Sequence, residues 1–61
     1  MKLRVIYGYT AENFDNASGW MISEGRLIIY RYEDKPSGGR IQKYLAEFDD
    51  WDYVKVVNEE A

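Results

Sequence analysis

The chain has no cysteine and no histidine among its 61 residues, and this absence narrows both its fold and its chemistry. A domain this short buries only about 60% of the surface of its unfolded chain, so its stability is marginal. Disulfides are impossible, and a zinc site without cysteine or histidine is very unusual. The remaining supports are a dense aromatic core or oligomerisation. Six tyrosines, two tryptophans and two phenylalanines make up 16% of the chain, which favours an aromatic core and argues against disorder.

Alternation of apolar and polar residues predicts a mainly β domain, a small antiparallel meander of about five strands. The expected strands are Leu3 to Tyr9, Trp20 to Ser23, Arg26 to Tyr32, Arg40 to Phe48 and Tyr53 to Val57. The polar stretch from Thr10 to Ser18 is expected to be a loop or a single helical turn. Several strands carry apolar groups on both faces. A curved sheet rolled into an SH3-like barrel would explain this, and so would a homodimer that covers the second face.

The segment from Arg40 to Phe48 fits two structures. As a helix it would place Ile41, Tyr44, Leu45 and Phe48 on one face, so an α+β fold with residues 40-48 helical is the alternative. The strand is preferred because the preceding Pro36 to Gly39 loop is typical of a hairpin. No linker or repeat divides residues 1-61, so we expect one domain, with Asn58 to Ala61 frayed at its end.

The residue types exclude most catalytic schemes. Nucleophile–histidine pairs and histidine general bases cannot form, and no phosphate-binding or dinucleotide-binding glycine pattern occurs. Asp49, Asp50 and Asp52 could ligate a divalent metal, but their spacing does not fit an EF-hand, and a solvated turn is the simpler interpretation. The sequence therefore predicts a binding protein that is not an enzyme and has no cofactor or metal.

Charge is distributed unevenly along the chain. Residues 1–46 hold seven basic and five acidic residues, a net +2, whereas residues 47–61 hold one basic and six acidic residues, a net −5. Such a run is either a solvated face or an acidic patch for a basic protein partner, and spaced carboxylates can also imitate duplex phosphates. The candidate partner-binding residues are Glu47, Asp49, Asp50, Trp51 and Asp52, together with the aromatic residues Trp20, Tyr30 and Tyr32; Glu59 and Glu60 extend the acidic run.

Basic and aromatic residues interleave in the central hairpin, which suggests a different ligand. Tyrosine platforms with nearby cations are typical of proteins that hold single-stranded nucleic acid. The residues concerned are Arg26, Tyr30, Arg31, Tyr32, Lys35, Arg40, Lys43 and Tyr44. The net charge of −3 argues against a nucleic-acid binder, so this function is the alternative to a protein-interaction module. A self-associating structural protein is a third possibility.

Residues 25–57 also resemble a family. Gly25 to Tyr30, then Leu45 to Phe48, Trp51 and Tyr53 to Val57 are similar to the short all-β accessory (early) proteins of bacteriophages. The resemblance implies a small phage or mobile-element protein that binds and modulates a host or phage protein, and it implies no catalytic residue. The sequence has no run of apolar residues long enough to cross a membrane, and the absence of cysteine fits the reducing cytoplasm.

Overall fold

The computed structural model describes residues 1–57, which form six strands. They are β1 (Leu3–Tyr7), β2 (Thr10–Phe14), β3 (Gly19–Ser23), β4 (Arg26–Asp34), β5 (Arg40–Phe48) and β6 (Tyr53–Val56). The mainly β fold class is confirmed, and residues 40–48 form a strand rather than a helix. The predicted fraying of Asn58 to Ala61, like the acidic residues Glu59 and Glu60, lies outside the described residues.

The strands form two antiparallel sheets of three strands each, in the orders β2-β1-β6 and β3-β4-β5. The second sheet is a plain meander of consecutive strands. In the first sheet β1 is central, so Leu3 is paired with Phe14 on one side and with Val56 on the other. The chain thus returns at its last described strand to pair with its first.

β2 corrects the expectation of a loop or helical turn between Thr10 and Ser18. Tyr7 pairs directly with Thr10, and Gly8 adopts a φ of 60°, which a two-residue hairpin turn requires and glycine adopts without strain. The polar composition of this segment, which suggested a loop, fits an edge strand, since four of the five residues of β2 are exposed.

The core lies between the two sheets. Leu3 and Val5 of β1 and Leu27 and Ile29 of β4 are fully buried, with Ala17 beside them. Leu27 and Ile29 of β4 face this core, while Ile28 between them lies on the other face of the sheet and is itself 5% exposed. Partly buried residues complete this core: Tyr7, Phe14, Ala46, Phe48, Trp51 and Val54.

A register shift in β5 decides which side chains reach the outer face of the β3-β4-β5 sheet. Ile29 pairs with Ala46, whereas its neighbour Tyr30 pairs with Tyr44, so Leu45 is the extra residue of a β-bulge. Because of this bulge, Tyr44 shares the outer face with Tyr30 and Tyr32. We call this surface the tyrosine face. Its side chains come from alternating positions of β3, β4 and β5 and from Asp49, the residue directly after β5. They are Met21, Arg26, Ile28, Tyr30, Tyr32, Asp34, Arg40, Gln42, Tyr44, Glu47 and Asp49.

Candidate functional site

Three turns meet at one end of the molecule and enclose a shallow, open depression. They are the β1–β2 turn, the β3–β4 turn and the connection between β5 and β6. The depression has a volume of about 600 Å³ and is lined by Tyr7, Gly8, Gly25, Asp49, Asp50, Trp51 and Asp52. We call it the acidic depression, because three of the seven lining residues are aspartates.

Trp51 and Asp52 are held in place by the turns around them. The Trp51 ring is half-buried against the core, and its Nε1 donates a hydrogen bond to the carbonyl oxygen of Gly25 at 3.2 Å. Asp52 accepts a hydrogen bond from the Gly8 amide on Oδ2 at 2.9 Å, while its own amide donates to the Ile6 carbonyl at 2.8 Å. The depression is therefore built by backbone hydrogen bonds as well as by side-chain packing.

The acidic residues differ in how far their charge is already balanced. Arg26 donates from Nε to Asp49 Oδ1 at 2.8 Å and from Nη1 to Glu47 Oε1 at 3.3 Å. The hydrogen bond to Asp49, followed by its charge and the contact with Glu47, raises the pKa of Arg26. Asp50 is exposed and, within residues 1–57, has no ion pair or side-chain hydrogen bond. The freest negative charge of the depression is thus Asp50.

Tyr7 adds a second aromatic ring to the lining of the depression. Its hydroxyl donates to Glu12 Oε1 at 3.0 Å, and this hydrogen bond raises the pKa of Tyr7. Sequence reasoning missed Tyr7, Gly8 and Gly25 as site residues. Both glycines have a positive φ in their turns, and a glycine that separates two strand-like segments is the sequence signal that could have marked them.

The structure divides the predicted site residues among three places. Asp49, Asp50, Trp51 and Asp52 come together in the acidic depression, and Glu47 lies beside it through Arg26. Tyr30 and Tyr32 lie on the tyrosine face instead. Tyr32 is far from the acidic depression, because it is six residues, or about 20 Å, along β4 from Arg26, which contacts Asp49 at the edge of the depression. Trp20 is 38% exposed and pairs with Ile29, so it belongs to the opposite side of the sheet from Tyr30.

The tyrosine face has an ordered arrangement of rings. The centroids of Tyr30 and Tyr32 are 5.3 Å apart in an edge-to-face geometry, and the Arg40 guanidinium lies 5.5 Å from the centre of the Tyr32 ring. Tyr44, directly opposite Tyr30 in the ladder, is 53% exposed. This face presents aromatic surface to solvent at its middle and charged side chains at both ends.

The cations of the central hairpin do not share one surface. Lys43 and Arg31 pair with each other across β4 and β5 on the face opposite Tyr30. Both bind Glu33, with the Lys43 Nζ 3.0 Å from Oε1 and Arg31 Nη2 on Oε2. The hydrogen bonds from Lys43 and then Arg31 lower the pKa of Glu33. Two of the cations in the basic and aromatic hairpin therefore share the single negative charge of Glu33 and face away from the tyrosines.

Metal ligands are not clustered in the part of the chain that the structure describes. There, no group of three or more aspartate, glutamate, histidine or cysteine residues is arranged to hold a metal ion. Residues 1–57 also contain no helix of the length and apolarity that crossing a membrane requires.

Comparisons with protein-family models, curated proteins and solved structures find no match for this chain. The resemblance to bacteriophage accessory proteins therefore stays a prediction from the sequence.

Proposed function

We propose that this chain is a small protein-interaction module that binds a basic surface of a partner protein at the acidic depression. The observation that supports this most is the meeting of Asp50, Asp52 and the half-buried Trp51 ring in one concavity. Four residues singled out by sequence for partner binding line it together. An aromatic ring beside uncompensated carboxylates is a suitable receptor for a lysine or arginine side chain.

The chemistry of such a contact follows from the geometry. A cationic side chain lying on the indole would gain about 0.5–2 kcal/mol from the ring, and the nearby Asp50 would add a charge-assisted hydrogen bond. Asp49 and Glu47 contribute less attraction per carboxylate, since both share the single positive charge of Arg26. Negative charge gathered at one end of the molecule would also speed the approach of a basic partner.

The resemblance to phage accessory proteins extends the proposal to the kind of partner. On this view the protein acts in the cytoplasm by occupying a surface of a host or phage protein. A catalytic role has no support from the residues around the depression, whose ionisable groups are carboxylates, one tyrosine and one arginine.

The test is an affinity capture with three baits at about 150 mM salt, quantified by mass spectrometry. The baits are the wild type, Asp50→Lys and Asp15→Lys. Asp50 has no contact that the fold needs. Asp15 is a matched control, because the same change of charge falls on a 74% exposed side chain near Lys2, at the other end of β1. We expect a basic protein to be enriched by the wild type and Asp15→Lys and lost with Asp50→Lys.

Two results would count against the proposal. One is a set of captured proteins that does not change between the Asp50→Lys and Asp15→Lys baits. The other is a partner that stays bound to Asp50→Lys but is lost from an additional bait, Tyr44→Asp, which would place binding on the tyrosine face. A titration with single-stranded oligonucleotides at low salt belongs beside the capture, since binding there would favour the nucleic-acid function.

A further inference from the structure

We propose that a second copy of this chain packs against the tyrosine face to form a symmetric dimer, on a surface centred away from the acidic depression. The principal extents of the molecule are 42, 37 and 12 Å, so it is a thin plate whose hydrophobic core lies between its sheets. The tyrosine face carries Tyr32 at 43% exposure and Tyr44 at 53%. Exposed aromatic residues at the middle of a surface are typical of interface centres.

The ladder of β4 and β5 defines a natural centre for this face. Tyr30 and Tyr44 are partners in the register, and the Asp34–Arg40 pair lies four ladder positions to one side of them. Leu27 is paired with Phe48, so the next two residues outward, Arg26 and Asp49, lie opposite each other and form an ion pair. This ion pair lies four positions from Tyr30 along β4, on the other side. The two ends of the tyrosine face are thus equally far from its aromatic centre.

Consider two copies stacked with their tyrosine faces together and related by a twofold axis. The axis runs between the two facing sheets, one from each copy, perpendicular to the strands, at the level of the Tyr30–Tyr44 pair. In this arrangement the tyrosine face is complementary to itself. Each strand then lies antiparallel over the same strand of the other copy. Arg26 lies opposite Asp34 of the second copy, and Arg40 lies opposite Asp49 of the second copy. Each end of the interface thereby gains four alternating charges, two from each copy, and every new contact between the copies joins opposite charges.

The middle of the same arrangement matches apolar with aromatic groups. Tyr30 and Tyr44 meet their own symmetry mates on the axis. Tyr32 lies over Ile28 of the second copy, which adds little contact surface because Ile28 is only 5% exposed in the monomer. An aromatic centre with a charged, solvent-accessible rim is the usual anatomy of a protein interface. The register of the ladder, rather than the composition alone, produces this pattern.

The size of the face predicts a weak dimer. Nine residues of strand span about 30 Å and three strands about 14 Å, a footprint of roughly 400 Å² per copy. This is about half of the roughly 800 Å² per partner that a standard specific interface buries, and it falls among weak, transient contacts. We therefore expect the dimer to dissociate with dilution, between about 1 mM and about 10 µM protein.

A single strand of nucleic acid is the less suitable occupant of this face. Its cations are Arg26 and Arg40, and its acidic residues are Asp34, Glu47 and Asp49, so the face has no excess of positive charge for phosphates. Balanced charges in a self-complementary order favour a second copy.

Sedimentation equilibrium over that concentration range tests the dimer directly. The wild type is expected to pass from monomer to dimer, and Tyr44→Asp, which brings two like charges together on the axis, is expected to weaken association at least tenfold. Tyr53→Asp is the matched control, because Tyr53 is 51% exposed on the outer face of the other sheet. A wild type that remains a monomer at 1 mM, or equal losses from both variants, would overturn the proposal.

A mixing experiment tests the register. Arg40→Asp alone places aspartate over Asp49 of its mate, and Asp49→Arg alone places arginine over Arg40, so each variant should dimerise at least tenfold more weakly than the wild type. In an equimolar mixture of the two, every Arg40–Asp49 contact joins opposite charges again. We expect a heterodimer within about threefold of wild-type affinity, weakening as salt is raised. A mixture no tighter than its separate components contradicts this arrangement, whatever the fate of the acidic depression.

Discussion

At the scale of single residues, Gly19 shows how a small side chain positions an aromatic one. Tyr30 folds across Gly19, its partner in the ladder, so that a Cβ added at Gly19 would lie 2.8 Å from Oη and 3.1 Å from Cζ of the ring. The distances are too short for an ordinary contact. The glycine is therefore needed for the position of the ring, which lies at the centre of the tyrosine face.

We predict that Gly19→Ala lowers the free energy of unfolding by about 1–3 kcal/mol, because the ring must move. In a Tyr30→Leu background the same change should be neutral or stabilising, since alanine restricts the unfolded chain more than glycine does. Urea unfolding of the four proteins gives this double-mutant cycle. A cost of Gly19→Ala that is the same in both backgrounds would show that the ring is not its cause.

Glu33 supplies a pH-dependent contribution to stability. Hydrogen bonds from Lys43 and Arg31 lower its pKa in the folded protein, so the native state binds its proton less tightly than the unfolded chain. The contribution is therefore present above the pKa of the unfolded chain, about 4.3, and is lost as the pH falls through the folded value.

We predict that the wild type is more stable than Glu33→Gln at neutral pH and that this difference shrinks as the pH is lowered from about 5 to about 3. Denaturant unfolding at several pH values measures it. Glu24→Gln is the control, because Glu24 lies in an exposed turn and should show no comparable change. A difference between wild type and Glu33→Gln that is constant with pH would contradict a lowered pKa of Glu33 in the folded protein.

At the scale of elements, the sequence predicted the strands whose side chains alternate and whose ends carry turn residues. β4 is the clearest case, since the strand predicted from Arg26 to Tyr32 is found at Arg26–Asp34. β2 was missed because an exposed edge strand carries no apolar alternation. The bulge at Leu45 was beyond prediction, since its register depends on the pairing with β4. The division of Trp20, Tyr30 and Trp51 among separate surfaces depends on the same pairings, so the sequence could not predict which of these candidate residues share a surface.

Two leucines on paired strands separate the core from the surface. Leu27 is fully buried, whereas Leu45, at the bulge, is 38% exposed. We predict that Leu27→Ala costs about 2–5 kcal/mol of unfolding free energy and that Leu45→Ala changes it by less than about 1 kcal/mol. Circular dichroism during urea unfolding measures both. Similar losses from the two substitutions would mean that the interior does not lie between the sheets as described.

At the scale of the whole molecule, stability leaves little room for change. A domain of this length is stable by roughly 3–9 kcal/mol at the usual value per residue, so the loss expected for Leu27→Ala is a large part of the total. Self-association would add stability with rising concentration, because a dimer binds the native state and not the unfolded chain.

The pairing of β1 with β6 also has a consequence for the order of events during synthesis. Leu3 reaches one of its ladder partners within the first hairpin, at Phe14, but the other is Val56. At about 5–20 residues per second on the ribosome, one edge of β1 waits for seconds after the first hairpin can form. Pairings so distant in sequence also slow folding itself. A nascent chain of this protein would therefore expose an unpaired strand edge, open to chaperones or to neighbouring chains, until its last described strand emerges.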